Sequence, residues 1–413
     1  MSTRVVVTGL GAITPLGNDV ASTWAALING QSAADRITAF DPSPFAIQIG
    51  CEVKGFEPGQ YMEARDARRM DRCTQFAVAA AAQALEDANL KIDNTNCYDV
   101  GVYIGTAVGG MRTLLDNQRT LDERGPNRVN PLFPAMMIPD APAGQVAINW
   151  AIKGPNMALV SACATGGHAI GEAWETIRRG DAMAMLAGGT EAAICPVSLA
   201  GFINMKVLAS DNEHPETAAK PWDLHRDGFV MGEGAVVMLI EELQHALARG
   251  ATPYCEIIGF GATNDGFHLA APSADGEGEE RAIRIALKKA GIEPQEIQYW
   301  NPHGSATVLA DKYETTLAKN LWGDYAYRLP ISSTKSMAGH MMGAAGAIES
   351  MACVLAIRDN IIHPTINIIT PDPECDLDYV PNVARSTPVD VSLCSNMGLG
   401  GHNSAILFRR YKE

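Results

Sequence analysis

The chain has 413 residues, 47% of them hydrophobic, and 47 Asp and Glu against 32 Lys and Arg give a net charge of −15. That length and apolar content suffice for a large core shared by two domains or by two halves of one body. The acidic balance argues against a nucleic-acid partner, which needs a basic surface or patch, and no apolar run approaches the roughly 20 residues that span a bilayer.

The predicted elements begin with a strand, Arg4 to Thr8, reached without a signal-peptide pattern, which places the protein in the cytoplasm. Nine cysteines without a CxxC pair fit a reducing compartment rather than a disulfide framework or a zinc module. The strand runs into Gly9-Leu10-Gly11-Ala12-Ile13-Thr14-Pro15-Leu16-Gly17. This stretch lacks the third glycine of a dinucleotide fingerprint, and Pro15 stands where a Rossmann helix would run. It reads as a structural turn before a helix from Asp19 to Asn29. Arg65, Arg68, Arg69 and Arg72 fall on one face of a helix. That face is simply solvated, with Asp66 and Asp71 as internal partners, unless the function calls for an acidic partner.

Thr74 to Asn89 is rich in alanine and reads as a helix packed between layers, followed by a strand from Val100 to Gly105. The five prolines between Arg124 and Pro142 predict a long irregular loop covering a site or an interface. Met157 to Ala162 is a short β-type run, and after Cys163 come small, helix-compatible residues to about Arg179. The pattern is strand, sharp turn, buried helix. A cysteine there has free backbone N–H groups and a positive dipole end nearby, both favouring thiolate. A small core residue is the alternative reading of a lone cysteine.

Strands from Ala182 to Ala187 and from Gly234 to Glu241 complete the first half, and at Pro253 the pattern starts again. A strand (Tyr254 to Phe260), a helix (Glu279 to Ala290) and a strand (Ile297 to Asn301) deliver His303. A helix (Asp311 to Asn320) and a strand (Leu329 to Ser332) lead to Lys335 and His340, ahead of a helix from Gly343 to Arg358. Residues 1–250 and 251–413 thus read as two similar halves of one rigid unit. Cys163, His303, Lys335 and His340 all fall at strand-to-helix junctions. Each alone reads as structural; together, in repeated positions with Gly304 and Gly339 beside the imidazoles, they make a nucleophile with donors.

Four segments carry a family resemblance: Ser161-Ala162-Cys163-Ala164-Thr165-Gly166, Asn301-Pro302-His303-Gly304-Ser305-Ala306-Thr307, the run from Ser333 through Lys335 to His340, and the run from Met397 through Leu399 to Asn403. In this order they resemble the signatures of the β-ketoacyl-acyl carrier protein synthases, closest to the type II condensing enzyme of fatty acid synthesis. Further matches at Gly188–Glu191, Pro221–Asp223, Arg226–Phe229 and Gly343–Glu349 extend the resemblance nearly end to end.

The resemblance implies an α/β thiolase fold, a five-layered αβαβα sandwich of two similar halves working as a homodimer. It implies an acyltransferase in which Cys163 takes an acyl group from a carrier-protein thioester. Backbone N–H groups of Cys163 and Leu399 hold the oxyanion, and His303 and His340 stabilise the enolate left when malonyl-acyl carrier protein loses CO2. Lys335 balances charge and positions His303. Val108, Phe202 and His268 match pocket segments, and Ser305 and Thr307 match groups that bond the phosphopantetheine arm. That arm arrives on the acyl carrier protein, so no cofactor or metal of the chain's own is implied. Arg65, Arg68, Arg69 and Lys206 coincide with the family's docking surface for an acidic carrier.

The sequence departs from the family at Ser395-Asn396-Met397-Gly398-Leu399-Gly400-Gly401, where relatives have Asn-Ser-Phe-Gly-Phe-Gly-Gly. Leu399 replaces the phenylalanine that gates the acyl pocket, which predicts a different or more open gate beside Met397. The reversed Asn-Ser order touches a cation site that some relatives build with a glutamate matching Glu349. Pro302, Ala306 and Ala310 replace alanine, serine and glycine around His303. A non-catalytic chain-length factor would lack Cys163, and a thiolase acting on coenzyme A esters would lack the Asn-x-His-Gly and Lys-x-x-x-x-His pair.

Overall fold

The computed structural model describes residues 3–273 and 276–412. Nine strands form one mixed sheet: β1 (Val5–Ile13), β2 (Val100–Gly105), β3 (Asn156–Met157), β4 (Ala184–Glu191), β5 (Gly234–Glu242), β6 (Cys255–Asn264), β7 (Tyr299–Asn301), β8 (Val391–Gly398) and β9 (His402–Arg409). Their spatial order is β3-β2-β4-β5-β1-β6-β9-β8-β7. The order is a duplication. β1 pairs antiparallel with β5, β5 antiparallel with β4, and β4 parallel with β2; β6, β9, β8 and β7 repeat that series. The halves join where Val5–Val7 lie antiparallel to Cys255–Ile257.

Six helices make the other layers: α1 (Arg72–Asp87), α2 (Ala141–Trp150), α3 (Thr165–Arg179), α4 (Glu277–Ala290), α5 (Val308–Trp322) and α6 (Ala345–Asp359). Helices α1 and α2 cover the outer face of the first half-sheet. Helices α4 and α5 lie outside the second, and α3 and α6 pack between the two. Thirteen consecutive residues of α6, Ala345 to Ile357, are buried, so this helix is apolar on nearly every face. Among the described residues no helix is long and apolar enough to cross a membrane.

Of the glycine-rich stretch after Thr8, Gly9 to Ile13 continues β1, with a bulge between Val7 and Gly9, and the expected turn is confined to Thr14–Gly17, whose end residues exchange backbone hydrogen bonds at 2.8 and 3.2 Å. Gly9 and Gly11 are there because α1 lies on them. A Cβ on Gly11 would sit 1.9 Å from the Ala80 carbonyl oxygen, and one on Gly9 2.2 Å from that of Ala84. The second half repeats the device, with Gly261 against Ala282 and Gly259 against Ala286 at 1.9 and 2.3 Å. Alanine-rich helices and strand glycines are therefore one feature, a close helix-to-sheet approach.

Four other expectations change. Arg124–Pro142 is mostly short helix rather than loop, with Pro126, Pro134 and Pro142 in first turns, where a missing N–H costs nothing. The arginine face is broken. A single turn, Ala64–Ala67, ends before buried Met70, and Arg72 opens α1 and turns inward to Glu233 at 2.8 Å. Only Asn156–Met157 of the run before Cys163 pairs as strand. Leu329–Ser332 is no regular strand, and only Ile331 forms a bridge, with Trp300.

Candidate active site

Cys163 lies in a single 3₁₀ turn, Ala162–Ala164, directly before the 15-residue helix α3. The same construction recurs before α6, also of 15 residues, where the turn is Met342–Ala344. Ala162 and Met342 occupy equivalent left-handed positions, with φ of 51° and 45°. The duplicate of Cys163 is therefore Gly343, and only one half carries a thiol. The two helices meet closely: a Cβ on Gly166 would lie 2.7 Å from the Ala347 nitrogen, and one on Gly346 2.6 Å from that of Gly167.

The Cys163 sulfur and one ring nitrogen each of His303 and His340 lie within 4.8 Å of one another. Cys163 is half-buried and both histidines are buried, with their rings edge to face at 5.3 Å. Nδ1 of His340 accepts the Met342 N–H at 3.1 Å, so the neutral ring carries its proton on Nε2. Burial, with Lys335 nearby, holds both imidazoles well below the usual histidine range. Lys335 donates to the His303 backbone carbonyl at 2.5 Å and to the Glu349 carboxylate. A thiol beside two imidazoles held low, near the Lys335 cation, is an arrangement that can serve as a nucleophile with N–H donors. The same three atoms could also ligate an ion, which would occupy the sulfur.

Burial acts on the thiol against the helix dipole. It pushes Cys163 up to about 11, against pulls from Lys335 and from the Leu399 N–H. The expectation that the helix start favours thiolate meets an opposing influence, since burial favours the thiol.

These groups stand in the wall of a cavity of about 660 Å³. Val108, Phe202, Ser305, Thr307, Met397, Leu399 and Lys206 line it as well. Ser305 and Thr307 hydroxyls bond each other at 2.9 Å. The loop carrying Leu399 comes this close because residue 398 is glycine: a Cβ there would lie 2.6 Å from the Ser161 carbonyl. Gly400 N–H donates to the Leu269 carbonyl and Asp265 N–H to that of Gly401, so this loop is bonded to the segment after β6.

Family models for the β-ketoacyl synthase N-terminal and C-terminal domains match residues 2–246 and 254–369. The chain belongs to the β-ketoacyl synthase family. This synthase is 46% identical over 409 residues to 3-oxoacyl-[acyl-carrier-protein] synthase 2 of Staphylococcus aureus, covering 99% of both chains. It is 47% identical over 409 residues to the protein of that name from Synechocystis, with 99% of this chain and 98% of the other covered. A β-ketoacyl synthase structure from Burkholderia phymatum superposes with a TM-score of 0.92 at 34% identity, over 99% of this chain and all of the other. A type II polyketide ketosynthase, bound to the hexaketide and in complex with its acyl carrier protein, gives 0.92 at 35% identity over the full length of both. The thiolase fold of two similar halves is thereby shown.

Two features of the β-ketoacyl synthase lie outside its cavity wall. His268 is exposed, and its Nδ1 accepts the Ala270 and Ala271 N–H groups at 3.1 Å, so it shapes a loop rather than lining the pocket. Arg65, Arg68 and Arg69 are exposed and without ion pairs among the described residues. The reversed Ser395-Asn396 order has a structural outcome. Asn396 donates its amide to Glu349, whose other oxygen holds Lys335, and Ser395 accepts the Trp300 indole N–H at 2.8 Å. Burial raises Glu349 to about 6 against the pull of Lys335.

Two buried carboxylates of the synthase had no assigned role in the sequence. Glu191, at the end of β4, accepts from Thr106 Oγ1, Ala107 N–H and Gly343 N–H at 2.8, 2.9 and 3.1 Å. It ties the turn after His340 to the loop after β2, and burial raises it to about 7. Glu314 in α5 accepts the Gly304 N–H at 2.9 Å and so fixes the backbone beside His303. The available signal was a charge ending an otherwise apolar strand, at Glu191.

Proposed function

We propose that this chain condenses an acyl group held on Cys163 with malonyl-acyl carrier protein, giving 3-oxoacyl-acyl carrier protein and CO2 in fatty acid or related polyketide-type biosynthesis. The observation that carries the reading is the Cys163 thiol within 4.8 Å of two buried, neutral imidazoles in the wall of one large cavity. In the first half-reaction the sulfur attacks the incoming thioester carbonyl, the thiol proton passes to the departing carrier thiolate, and the N–H groups of Cys163 and Leu399 receive the oxyanion. In the second, the malonyl C–C bond breaks and its electron pair moves into an enolate. Nε2–H of His340, its Nδ1 being occupied by the Met342 N–H, and the His303 ring hydrogen-bond that enolate oxygen in this reading. The α-carbon then bonds to the acyl carbon, and the Cys163 thiolate leaves.

A neutral imidazole suits this task better than a charged one, since it donates a hydrogen bond without a proton to lose. Lys335 acts on His303 through its backbone. Ser305 and Thr307 offer hydroxyls to the phosphopantetheine arm. Arg65, Arg68, Arg69 and Lys206 steer the acidic carrier to the mouth, in keeping with the polyketide ketosynthase that forms a complex with its acyl carrier protein. An exposed edge at β3 supports pairing with a second copy, and nine free cysteines suit the cytoplasm. We place the boundary between the halves at residues 250 and 251.

Intact-mass measurement after mixing the protein with a panel of acyl carrier proteins tests this reading. One acyl adduct, absent from Cys163→Ala, is expected, and malonyl carrier should then discharge it as 3-oxoacyl product. Elongation by the Cys163→Ala protein, or an adduct elsewhere, would sink the assignment.

A further inference from the structure

Glu279, in the first turn of α4, is 1% exposed, and neither of its carboxylate oxygens has a hydrogen-bond partner among the described residues. The helix start favours a charged group there, yet no N–H of that turn bonds to it. A buried carboxylate left without donors is costly, and folding resolves the cost by neutralising it.

The surroundings show how. The start of α4 rests on α5 at the turn that carries Glu314: a Cβ on Gly276 would lie 3.4 Å from the Tyr313 carbonyl oxygen and 3.5 Å from Leu317 Cβ. Glu314 is also 1% exposed, and its two oxygens take the Gly304 N–H at 2.9 and 3.2 Å. The other charged groups facing the pair are Asp265, Glu349, Asp311 and Lys335. All are engaged with other groups. Asp265 accepts from Asn403 at 2.6 Å, and Asp311 accepts the Trp222 N–H at 2.8 Å and faces Arg226 at 3.2 Å. Lys335 is divided between Glu349 and the His303 carbonyl. Two facing carboxylates without a cation of their own repel unless a proton lies between them. Burial holds both carboxyls above the ordinary range, with Glu279 adding to the shift at Glu314, and the Ser395 hydroxyl lowers Glu279 only in part.

We propose that Glu279 and Glu314 share one proton, and that this hydrogen bond fixes the Glu314 carboxylate on the Gly304 N–H, which makes Glu279 a positioning residue for His303. Gly304 follows His303 directly and stands in the left-handed region at φ 43°, so its anchor sets the backbone from which the imidazole projects. With the proton gone, two buried negative charges push the carboxylates apart and the anchor loosens. The proton is held below the pair's raised values and leaves as pH rises through them, so the effect falls on the alkaline side. This rests on the condensation reading above and adds to it a proton that the reaction does not consume.

The test compares wild type, Glu279→Gln and Glu279→Leu in condensation with malonyl-acyl carrier protein between about pH 7 and pH 9. Gln offers its own N–H groups to Glu314, whereas Leu fills the space without a donor. At pH 7 the conservative Gln should keep kcat within about twofold of wild type, and Leu should lower it about tenfold with KM unchanged. Wild-type kcat should decline towards pH 9 relative to that of Glu279→Gln, whose profile lacks this limb. Infrared spectra at pH 7 should show a protonated carboxyl that Glu279→Gln lacks, a readout that needs no turnover. A loss with Gln equal to that with Leu would show that the pair needs a charge and overturn the proposal. Parallel pH profiles for wild type and Gln would place the limb elsewhere and overturn it as well. So would a Leu variant altered in stability alone. A loss that added potassium or magnesium ions restore would put a cation, not a proton, between the carboxylates and overturn it equally. Wild type that shows the protonated carboxyl but makes no 3-oxoacyl product would instead reject the condensation reading itself.

Discussion

The Lys335 ammonium hydrogen-bonds the backbone carbonyl of His303 at 2.5 Å, not its imidazole. Its other partner is Glu349, on a helix buried along almost its whole length. Lys335→Met leaves a buried carboxylate without its cation and is expected to cost about 3 kcal/mol of unfolding free energy, read by denaturant titration. Burial is the larger influence holding His303 and His340 low, and Lys335 adds to it. The same variant should therefore move both imidazole titrations upward by NMR. Unchanged imidazoles would remove the electrostatic role of Lys335.

The Cys163 thiol stands near 11 because burial outweighs Lys335 and the Leu399 N–H. A raised thiol holds its proton through neutral pH. The rate of iodoacetamide alkylation in the resting protein should accordingly keep climbing between pH 7 and pH 10, roughly tenfold per unit, with no plateau. A plateau below pH 8 would show that the helix dipole prevails. With His303 and His340 held low, neither should impose an acid limb near the ordinary histidine value on condensation.

Removing the Glu191 carboxylate strands the Ala107 and Gly343 N–H groups and the Thr106 hydroxyl. Glu191→Ala should lower unfolding free energy by about 3 kcal/mol, given the cost of buried unsatisfied donors. It should also lower kcat more than it changes KM, since the turn it anchors carries His340. Stability lost with kcat unchanged would confine Glu191 to the fold. Burial raises its folded value to about 7, above the ordinary carboxylate range, so the folded state binds the extra proton. Its contribution to stability is fuller near pH 5 and declines as pH rises through 7.

Arg68 and Arg69 face solvent on a broken helix, without carboxylate partners among the described residues. Arg68→Glu/Arg69→Glu should raise KM for carrier-protein substrates by about tenfold at low salt, fading as salt screens the surface. Turnover of a small acyl thioester should not move. Equal changes on both substrates would count against docking at this face.

Cys163, His303, Lys335 and His340 could be read from the chain because each ends an apolar run beside small residues, a local pattern that survives without neighbours. The duplicated order of strands and alanine-rich helices was visible for the same reason. Leu399 and Met397 were recognisable as departures, though not what Asn396 does with its amide. The turn expected over Gly9–Gly17 holds only at Thr14–Gly17, because glycine's local preference speaks for a turn, whereas Gly9 and Gly11 answer to α1, distant along the chain and pressed against β1. His268 was expected in the pocket and shapes a loop instead, a matter of where one backbone segment bends.

Sequence by itself determined which groups are present and in what order: one thiol, two imidazoles, one lysine, and the glycines that let them approach. Tertiary structure decided their chemical state. Desolvation is the summed effect of every atom around a group, drawn from both halves of the chain. It is the largest influence that raises the Cys163 thiol and lowers His303 and His340, with Lys335, held by Glu349, adding to the latter.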